Sequence, residues 1–187
     1  MEDFFSAIQQ RGRFSAQQLA AIAAITQVES WSAGSCLLAP GTISSTCYFV
    51  RSGALVSSAT TEDNTQVVQD LFLAGDWVLE HKSFTGRIPS KNSITAFSDC
   101  ITLALSIDAI HELIAVSPAY LQLGSILHLA TSRQELLDNY PTPEERYRQV
   151  LAVRPELLHH FPLKLLASYL RMTPETLSRV RKRITGQ

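Results

Sequence analysis

Long apolar runs are missing from this sequence of 187 residues. No uninterrupted hydrophobic stretch approaches the roughly 18 to 20 residues of a membrane-spanning helix, so no membrane partner is expected. The chain begins Met-Glu-Asp-Phe-Phe, which is acidic where a secretory signal is basic. We therefore expect no signal peptide and a cytoplasmic location.

Metal-binding and catalytic motifs are also missing. The cysteines form no C-x-x-C pair and the histidines show no metal-ligand spacing; these residues are Cys36, Cys47, Cys100, His81, His111, His128, His159 and His160. We expect reduced cysteines that act as small buried apolar residues, and we expect no metal site. The sequence has no nucleophile–base pairing, paired-carboxylate motif or phosphate-binding loop, so it does not indicate an enzyme.

The net charge is low, but it hides an asymmetry along the chain. The formal charge is −1 at pH 7. Residues 1–143 contain 7 Lys and Arg against 13 Asp and Glu, whereas residues 144–187 contain 9 against 4. A basic segment of this kind indicates nucleic acid or another anionic partner. The change of sign also suggests a domain boundary near residue 140.

The first half of the chain changes from helical to β periodicity. Ser15 and Gln18 form a capping box, which predicts a helix that starts after Ser15. Across residues 31–105, short β-rich runs are separated by glycine, proline, aspartate and asparagine at the spacing of a β-sandwich or barrel. Asp63 and Asn64 are the predicted tip of a hairpin between two of these runs.

The segment from Ser117 to Asp138 is the longest helical candidate. Six of its residues, most of them apolar, recur at alternating spacings of three and four, which places them along one side of a helix. They are Tyr120, Leu123, Leu127, Ala130, Gln134 and Leu137. Such an a/d seam predicts a helix that pairs with the same helix of a second copy. The alternative is a helix that lies on its own β-domain, because nearly three heptads are a short pattern.

Helix-start signals follow in the basic segment. Thr142 and Glu145 form a second capping box, with Pro143 at the first helical position. Residues 163–170, a two-residue break and residues 173–184 then fit the layout of a helix-turn-helix unit, in which a tight turn joins two short helices.

The second helix of this unit has an outward face that suits the DNA major groove. The expected DNA contacts lie on this face and at the start of the helix; they are Thr173, Pro174, Glu175, Thr176, Ser178, Arg179 and Lys182. Arg179 can donate two hydrogen bonds to guanine, and Glu175 can accept one from a cytosine amino group, while later cations meet phosphates. The alternative is a solvated helix end, where the macrodipole favours cations. That alternative explains Lys182 well and Arg179 less well.

The order of elements resembles the Crp/Fnr (cyclic-AMP-receptor-like) transcription regulators over nearly the whole chain. The similar stretches are "YFVRSGAL" at 48–55, "LAGDWV" at 73–78, "EERYRQVLAVRPEL" at 144–157 and "LASYLRMTPETLSRVRKRI" at 166–184. The family's Glu-x-x-Ser-Arg pattern falls on Glu175, Ser178 and Arg179, which implies that these side chains read the bases.

The resemblance implies an α+β fold with three parts. Residues 1–116 would form N-terminal helices and a cyclic-nucleotide-binding-like β-roll (jelly roll), residues 117–140 a dimerisation helix, and residues 141–187 a helical helix-turn-helix domain. It also implies a homodimer that binds an inverted repeat in double-stranded DNA, and it allows RNA polymerase as a further partner.

Several positions depart from the family pattern. Arg171 replaces the usual turn glycine and must therefore accept an unusual φ. The chain ends three residues after Ile184, so we expect no β-wing. The first thirty-five residues contain no cysteine, which argues against an Fnr-type iron–sulfur cluster.

The effector pocket departs further. Where the family pairs Gly-Glu with Arg-Ser, the candidate effector residues here are Gly75, Asp76, Ser90, Lys91 and Asn92. Lysine cannot supply the bidentate fork of arginine, so cyclic AMP is not the expected ligand. Two alternatives stay open: the roll binds another small-molecule effector, or it binds no ligand. No cofactor is assigned.

The sequence thus indicates a homodimeric, sequence-specific DNA-binding regulator. One rival is a small-molecule-binding module whose helical C-terminus contacts proteins instead of DNA. A second rival is a cupin-like enzyme, which needs clustered histidine and carboxylate ligands; His81 is the only histidine in the predicted roll.

Overall fold

The computed structural model describes residues 1–127 and 137–186. The strands in these ranges are β1 (Gln27–Trp31), β2 (Cys36–Leu38), β3 (Thr46–Ser52), β4 (Ala54–Thr60), β5 (Gln66–Leu73), β6 (Trp77–Val78), β7 (Asn92–Ala96) and β8 (Cys100–Ser106). The helices are α1 (Glu2–Gln9), α2 (Ala16–Ile25), α3 (His81–Gly86), α4 (Ile107–Val116), a 3₁₀ helix (Pro118–Gly124), α5 (Pro143–Val153), α6 (Leu157–His160), α7 (Leu163–Tyr169) and α8 (Pro174–Thr185). The predicted α+β class is confirmed.

The strands form two antiparallel sheets of four strands each. Sheet A has the order β1-β8-β3-β6, and sheet B has the order β2-β7-β4-β5. The β4–β5 hairpin turns at the predicted position, where Asn64 has a φ of 65° and the Asp63 carboxylate accepts hydrogen bonds from the Thr61 and Thr65 hydroxyls. The hairpin prediction is therefore confirmed.

Alternate residues of the central strands face different cores, as the two-residue period of a strand requires. In β3, Val50 is buried between the two sheets, while Phe49 is buried with the N-terminal helices. In β5, Phe72 is buried between the sheets, while Leu71 and Leu73 are buried with the C-terminal helices. Each sheet therefore separates two cores.

The N-terminal helices cover sheet A. The Ser15 side chain accepts a hydrogen bond from the Gln18 N–H at 3.2 Å, and the Ser15 N–H donates to Gln18 Oε1 at 2.8 Å. The predicted capping box is thus present at the start of α2. Phe4 and Ile8 of α1 and Ile22 of α2 are buried in the core that Phe49 also enters.

The predicted long helix from Ser117 is wrong in its first part. Residues Pro118–Gly124 form a 3₁₀ helix, and the Ser117 hydroxyl accepts from the Ala119 N–H at 3.3 Å. Tyr120 and Leu123 are buried in the core under sheet A, and the Tyr120 ring stacks on Phe14 with centroids 6.2 Å apart. These two side chains therefore fill the chain's own core, and they do not form a seam that is open to a second copy.

The other predicted seam positions have different surroundings. Leu127 is half-buried at the edge of the core under sheet A, and Leu137 is buried with the C-terminal helices. Ala130 and Gln134 lie outside the described residues.

The C-terminal helices α5 to α8 pack directly on sheet B. Their buried side chains form one continuous core with Val68 and Leu71 of β5. The Val68 N–H donates to Ser168 Oγ of α7 at 2.9 Å, and the Phe97 and Phe161 rings lie with centroids 5.0 Å apart. The chain regions on either side of residue 140 therefore share a core.

Candidate nucleic-acid interface and effector region

Helices α7 and α8 lie at the two helical positions of the predicted helix-turn-helix and are joined by a tight turn. The Arg171 N–H donates to the Ser168 carbonyl at 3.0 Å and the Met172 N–H to the Ala167 carbonyl at 2.9 Å, which closes the turn. Arg171 has a φ of 56°, in the left-handed region that a side chain disfavours. The expectation of an unusual φ at Arg171 is confirmed.

Arg146 of α5 holds this turn in place. Its guanidinium donates to the carbonyls of Leu170 and Arg171 at 3.0 and 3.1 Å. It also donates to the carbonyls of Tyr140 and Pro141 at 2.8 and 3.0 Å. This role of Arg146 was not predictable from the sequence, because its acceptors are backbone carbonyls, which every residue type has.

The start of α5 is capped as predicted. Thr142 Oγ1 accepts from the Glu145 N–H at 3.3 Å, and the Thr142 N–H donates to Glu145 Oε2 at 3.0 Å. Hydrogen bonds from the side chain and backbone of Thr142 lower the pKa of Glu145.

Helix α8 has one buried face and one exposed face. Leu177 and Val180 are buried in the core shared with α5 and α7. The exposed face bears Glu175, Ser178, Arg179, Lys182 and Arg183. This spacing is that of an amphipathic helix whose outer side is left open to a partner.

The start of α8 arranges two of the predicted base-reading groups. Thr173 caps the helix by accepting from the Thr176 N–H at 3.2 Å, and Pro174 occupies the first turn. Hydrogen bonds from its own N–H and from the Thr173 side chain lower the pKa of Glu175, and the nearby Arg179 charge acts in the same direction. Glu175 is therefore a negatively charged acceptor at neutral pH, one turn before Arg179.

The last turn of α8 is tied to α5. Arg183 forms an ion pair with Glu144 in the first turn of α5. These two side chains, with Thr176 and Arg179, line a cavity of about 410 Å³ between the two helices. Because the pair is exposed, solvent and any anionic partner compete with Glu144 for Arg183.

Of the predicted effector residues, Ser90, Lys91 and Asn92 do not line the cavity that Gly75 and Asp76 line. Asp76 Oδ2 accepts from the Leu73 N–H at 2.8 Å and pairs with Arg154 of α5 at 2.5 Å. Gly75 and Asp76 line a cavity of about 200 Å³ together with Arg11 and Arg154. Asp76 thus contacts a helix of the C-terminal segment.

The second group of predicted effector residues is bonded within the roll. Ser90 Oγ donates to the Asn92 carbonyl at 2.8 Å and accepts from the Asn92 N–H at 3.0 Å. Asn92 Nδ2 donates to Glu80 Oε1 at 3.3 Å. Lys91 is exposed.

Arg154 is the centre of a buried ion cluster that the sequence analysis did not find. Its guanidinium lies 2.5 Å from Asp76 and 3.7 Å from Asp70, and it donates to the Leu71 carbonyl at 3.1 Å. Burial opposes the charge of Arg154, but the Asp76 and Asp70 carboxylates outweigh it and raise the pKa of Arg154. The cluster joins α5 to sheet B.

Neither a metal centre nor a membrane span is found in residues 1–127 and 137–186. No group of three or more His, Cys, Asp or Glu side chains in these ranges is placed to hold a metal ion. No helix in them has both the length and the apolar character needed to cross a membrane.

Comparison with known proteins identifies the central domain and the fold. Residues 28–117 match the family model of the cyclic nucleotide-binding domain. No curated protein is similar enough in sequence to count as a relative. Solved structures, in contrast, match nearly the whole chain.

Three of these structures show the extent of the match. FixK2 from Bradyrhizobium japonicum has a TM-score of 0.66 and 17% identity, over 87% of this chain and 86% of its own. The c-di-GMP-responsive global regulator CLP from Xanthomonas campestris has a TM-score of 0.62 and 20% identity, over 92% of each chain. The Thermus thermophilus catabolite activator protein has a TM-score of 0.57 and 20% identity, over 92% of this chain and 84% of its own.

Residues 28–117 thus match the cyclic nucleotide-binding domain, and the chain shares its fold with structural neighbours that are regulators of the Crp/Fnr family.

Proposed function

We propose that this protein is a cytoplasmic homodimer that binds a specific DNA sequence and regulates transcription. The observation that supports this most is the exposed face of α8, where Glu175, Ser178 and Arg179 follow a closed helix-turn-helix turn. Among the structural neighbours, CLP is described as a global regulator of gene expression.

The chemistry of the three side chains fits base recognition in the major groove. Arg179 supplies the forked donor that matches the O6 and N7 acceptors of guanine. Glu175, with its lowered pKa, remains ionised at neutral pH and accepts from a cytosine amino group. The exposed Lys182, two turns further along α8 than Glu175, contacts phosphate and adds affinity without sequence preference.

The proposed dimer and effector extend this function. In a two-fold dimer, the two α8 helices would read half-sites about one helical turn, or roughly 34 Å, apart, so the operator is an inverted repeat. Of the predicted seam, Leu127, Ala130 and Gln134 remain the proposed dimer contacts, because Tyr120, Leu123 and Leu137 fill intramolecular cores. A small-molecule effector other than cyclic AMP and a contact with RNA polymerase are parts of the same proposal.

Selection of DNA from a random library tests the function directly. The expected result is enrichment of an inverted repeat. Arg179→Ala should weaken binding to that sequence by roughly 1 to 3 kcal/mol and relax base preference at one position per half-site. Lys182→Ala should weaken all sequences alike and reduce the dependence of affinity on salt.

Arg51→Ala is the matched control, because Arg51 is an exposed cation of the roll in β3. It should leave both affinity and base preference unchanged. If no sequence is enriched, the C-terminal helices serve protein contacts instead. An Arg179→Ala variant that keeps the ratio of specific to random-DNA affinity would show that Arg179 does not read a base.

A further inference from the structure

A cavity of about 570 Å³ lies between sheet B and α7, the first helix of the helix-turn-helix. Its volume is in the range of roughly 300 to 1,000 Å³ that small-molecule sites occupy. Apolar side chains of both elements line it, namely Val56, Val68 and Leu165, with Phe97 beside them. It is distinct from the predicted effector region, whose residues do not line it.

Two residues of α7 bring hydrogen-bond donors to this cavity. Lys164 and Ser168 are four residues apart on α7 and therefore lie on one face of the helix. Lys164 is the one charged residue among those that line the cavity, and no carboxylate of the described ranges forms an ion pair with it. Ser168 Oγ accepts from the Val68 N–H at 2.9 Å, which leaves its own proton to donate.

Two other polar residues at the cavity, Ser58 and Gln66, are hydrogen-bonded within sheet B. Gln66 Nε2 donates to Ser58 Oγ at 2.8 Å, and the Ser58 hydroxyl shares a hydrogen bond with Ser93 at 3.0 Å. A ligand therefore meets apolar surface on most sides and charged or hydroxyl donors at α7. A carboxylate, which only accepts hydrogen bonds, matches an ammonium and a hydroxyl that have donors to give.

We propose that this cavity binds a small carboxylic acid with an apolar body. The carboxylate pairs with Lys164 and the Ser168 hydroxyl, and the body packs on Val56, Val68 and Leu165. Because the ligand touches sheet B and α7 together, it holds the first helix of the helix-turn-helix on the roll. The effect of this ligand on DNA binding rests on the proposed function, whereas the binding of the ligand to the cavity does not depend on it.

Sodium octanoate is the probe, titrated into the full-length protein in a calorimeter, with neutral octanamide as the matched compound. The expected result is saturable binding at one octanoate per chain. Lys164→Met should weaken octanoate roughly tenfold, because a charge-assisted hydrogen bond is lost, and should leave octanamide unchanged. Lys82→Met removes an exposed lysine of α3 and should bind octanoate as the wild type does.

The absence of saturable octanoate binding, or equal affinity in the wild type and Lys164→Met, would overturn the proposal. Weaker binding in Lys82→Met than in Lys164→Met would also overturn it, since the site would then lie near α3. DNA affinity with and without octanoate separates the two proposals. If octanoate binds as expected but no DNA is bound in either state, the cavity stands and the regulator function fails.

Discussion

Replacement of Arg154 by methionine tests whether the ion cluster stabilises the contact between α5 and sheet B. Arg154→Met keeps an apolar stem of similar length and removes the guanidinium. The side chains of Arg154 and Asp70 are only 13% and 7% exposed, and that of Asp76 is 22% exposed. The variant therefore removes the guanidinium that faces two largely buried carboxylates.

The structure sets the size of the effect. Removal of one partner from a buried ion pair costs roughly 3 to 5 kcal/mol. The Glu156 carboxylate, 3.8 Å from Arg154, is 48% exposed, so its pair adds only about 0 to 1 kcal/mol. The Leu71 and Leu73 N–H groups still donate to Asp70 and Asp76, which limits the loss. We expect a decrease of about 3 kcal/mol in the free energy of unfolding, or roughly 6 to 12 °C in Tm.

Urea denaturation followed by circular dichroism measures this change. Arg148→Met is the matched control, because Arg148 is an exposed arginine of the same helix; its effect should stay within about 0.5 kcal/mol. Adding Asp76→Asn to Arg154→Met should restore part of the loss, since one of the two carboxylates that faced the guanidinium becomes a neutral amide. A loss below about 1 kcal/mol in Arg154→Met, equal to that of the control, would refute the assigned role of the cluster.

Two further substitutions test local features of the C-terminal helices. Arg171→Gly should be more stable than Arg171→Ala by about 1 kcal/mol in urea denaturation, because both lose the exposed pair with Asp138 but only alanine keeps the penalty of a positive φ. Equal stability of these two variants would contradict a left-handed turn. Glu145→Gln should lower stability at neutral pH, and the difference from wild type should shrink below the ordinary glutamate pKa of 4.5, because the lowered pKa of Glu145 stabilises the fold only while the carboxylate is ionised. Glu62→Gln, on the exposed β4–β5 loop, is the control, and a pH-independent difference for Glu145→Gln would exclude the charged cap.

Features encoded by a few neighbouring residues were predictable from the sequence. Both capping boxes, the Asp63-Asn64 turn and the helix-turn-helix depend on side chains that act on backbone groups within about four residues. The unusual φ at Arg171 was predicted from the family resemblance instead, because a glycine is usual at this position of the turn. The match to solved structures supports the order of elements that these local signals gave.

Features that depend on distant residues were not predictable in this way. The a/d spacing at Tyr120 and Leu123 indicated an amphipathic segment, but it could not identify what covers the apolar side. In the structure, Phe14 and the N-terminal helices cover it. Arg154 meets Asp76, which lies 78 residues earlier, only because the C-terminal helices pack on sheet B.

The ion cluster also changes where an effector would act. Asp76, which the family resemblance assigned to an effector pocket, is held by Arg154 and by the Leu73 N–H. The cavity beside Gly75 is lined by Asp76 and by Arg11 and Arg154, so an anion entering it would compete with the Asp76 carboxylate for Arg154. In the cavity at Lys164 and Ser168, by contrast, no carboxylate is among the lining residues, so an anion has no competitor there for these two donors. An anionic effector is therefore better accommodated between sheet B and α7, where it touches the helix-turn-helix directly, than at the Gly75-Asp76 position.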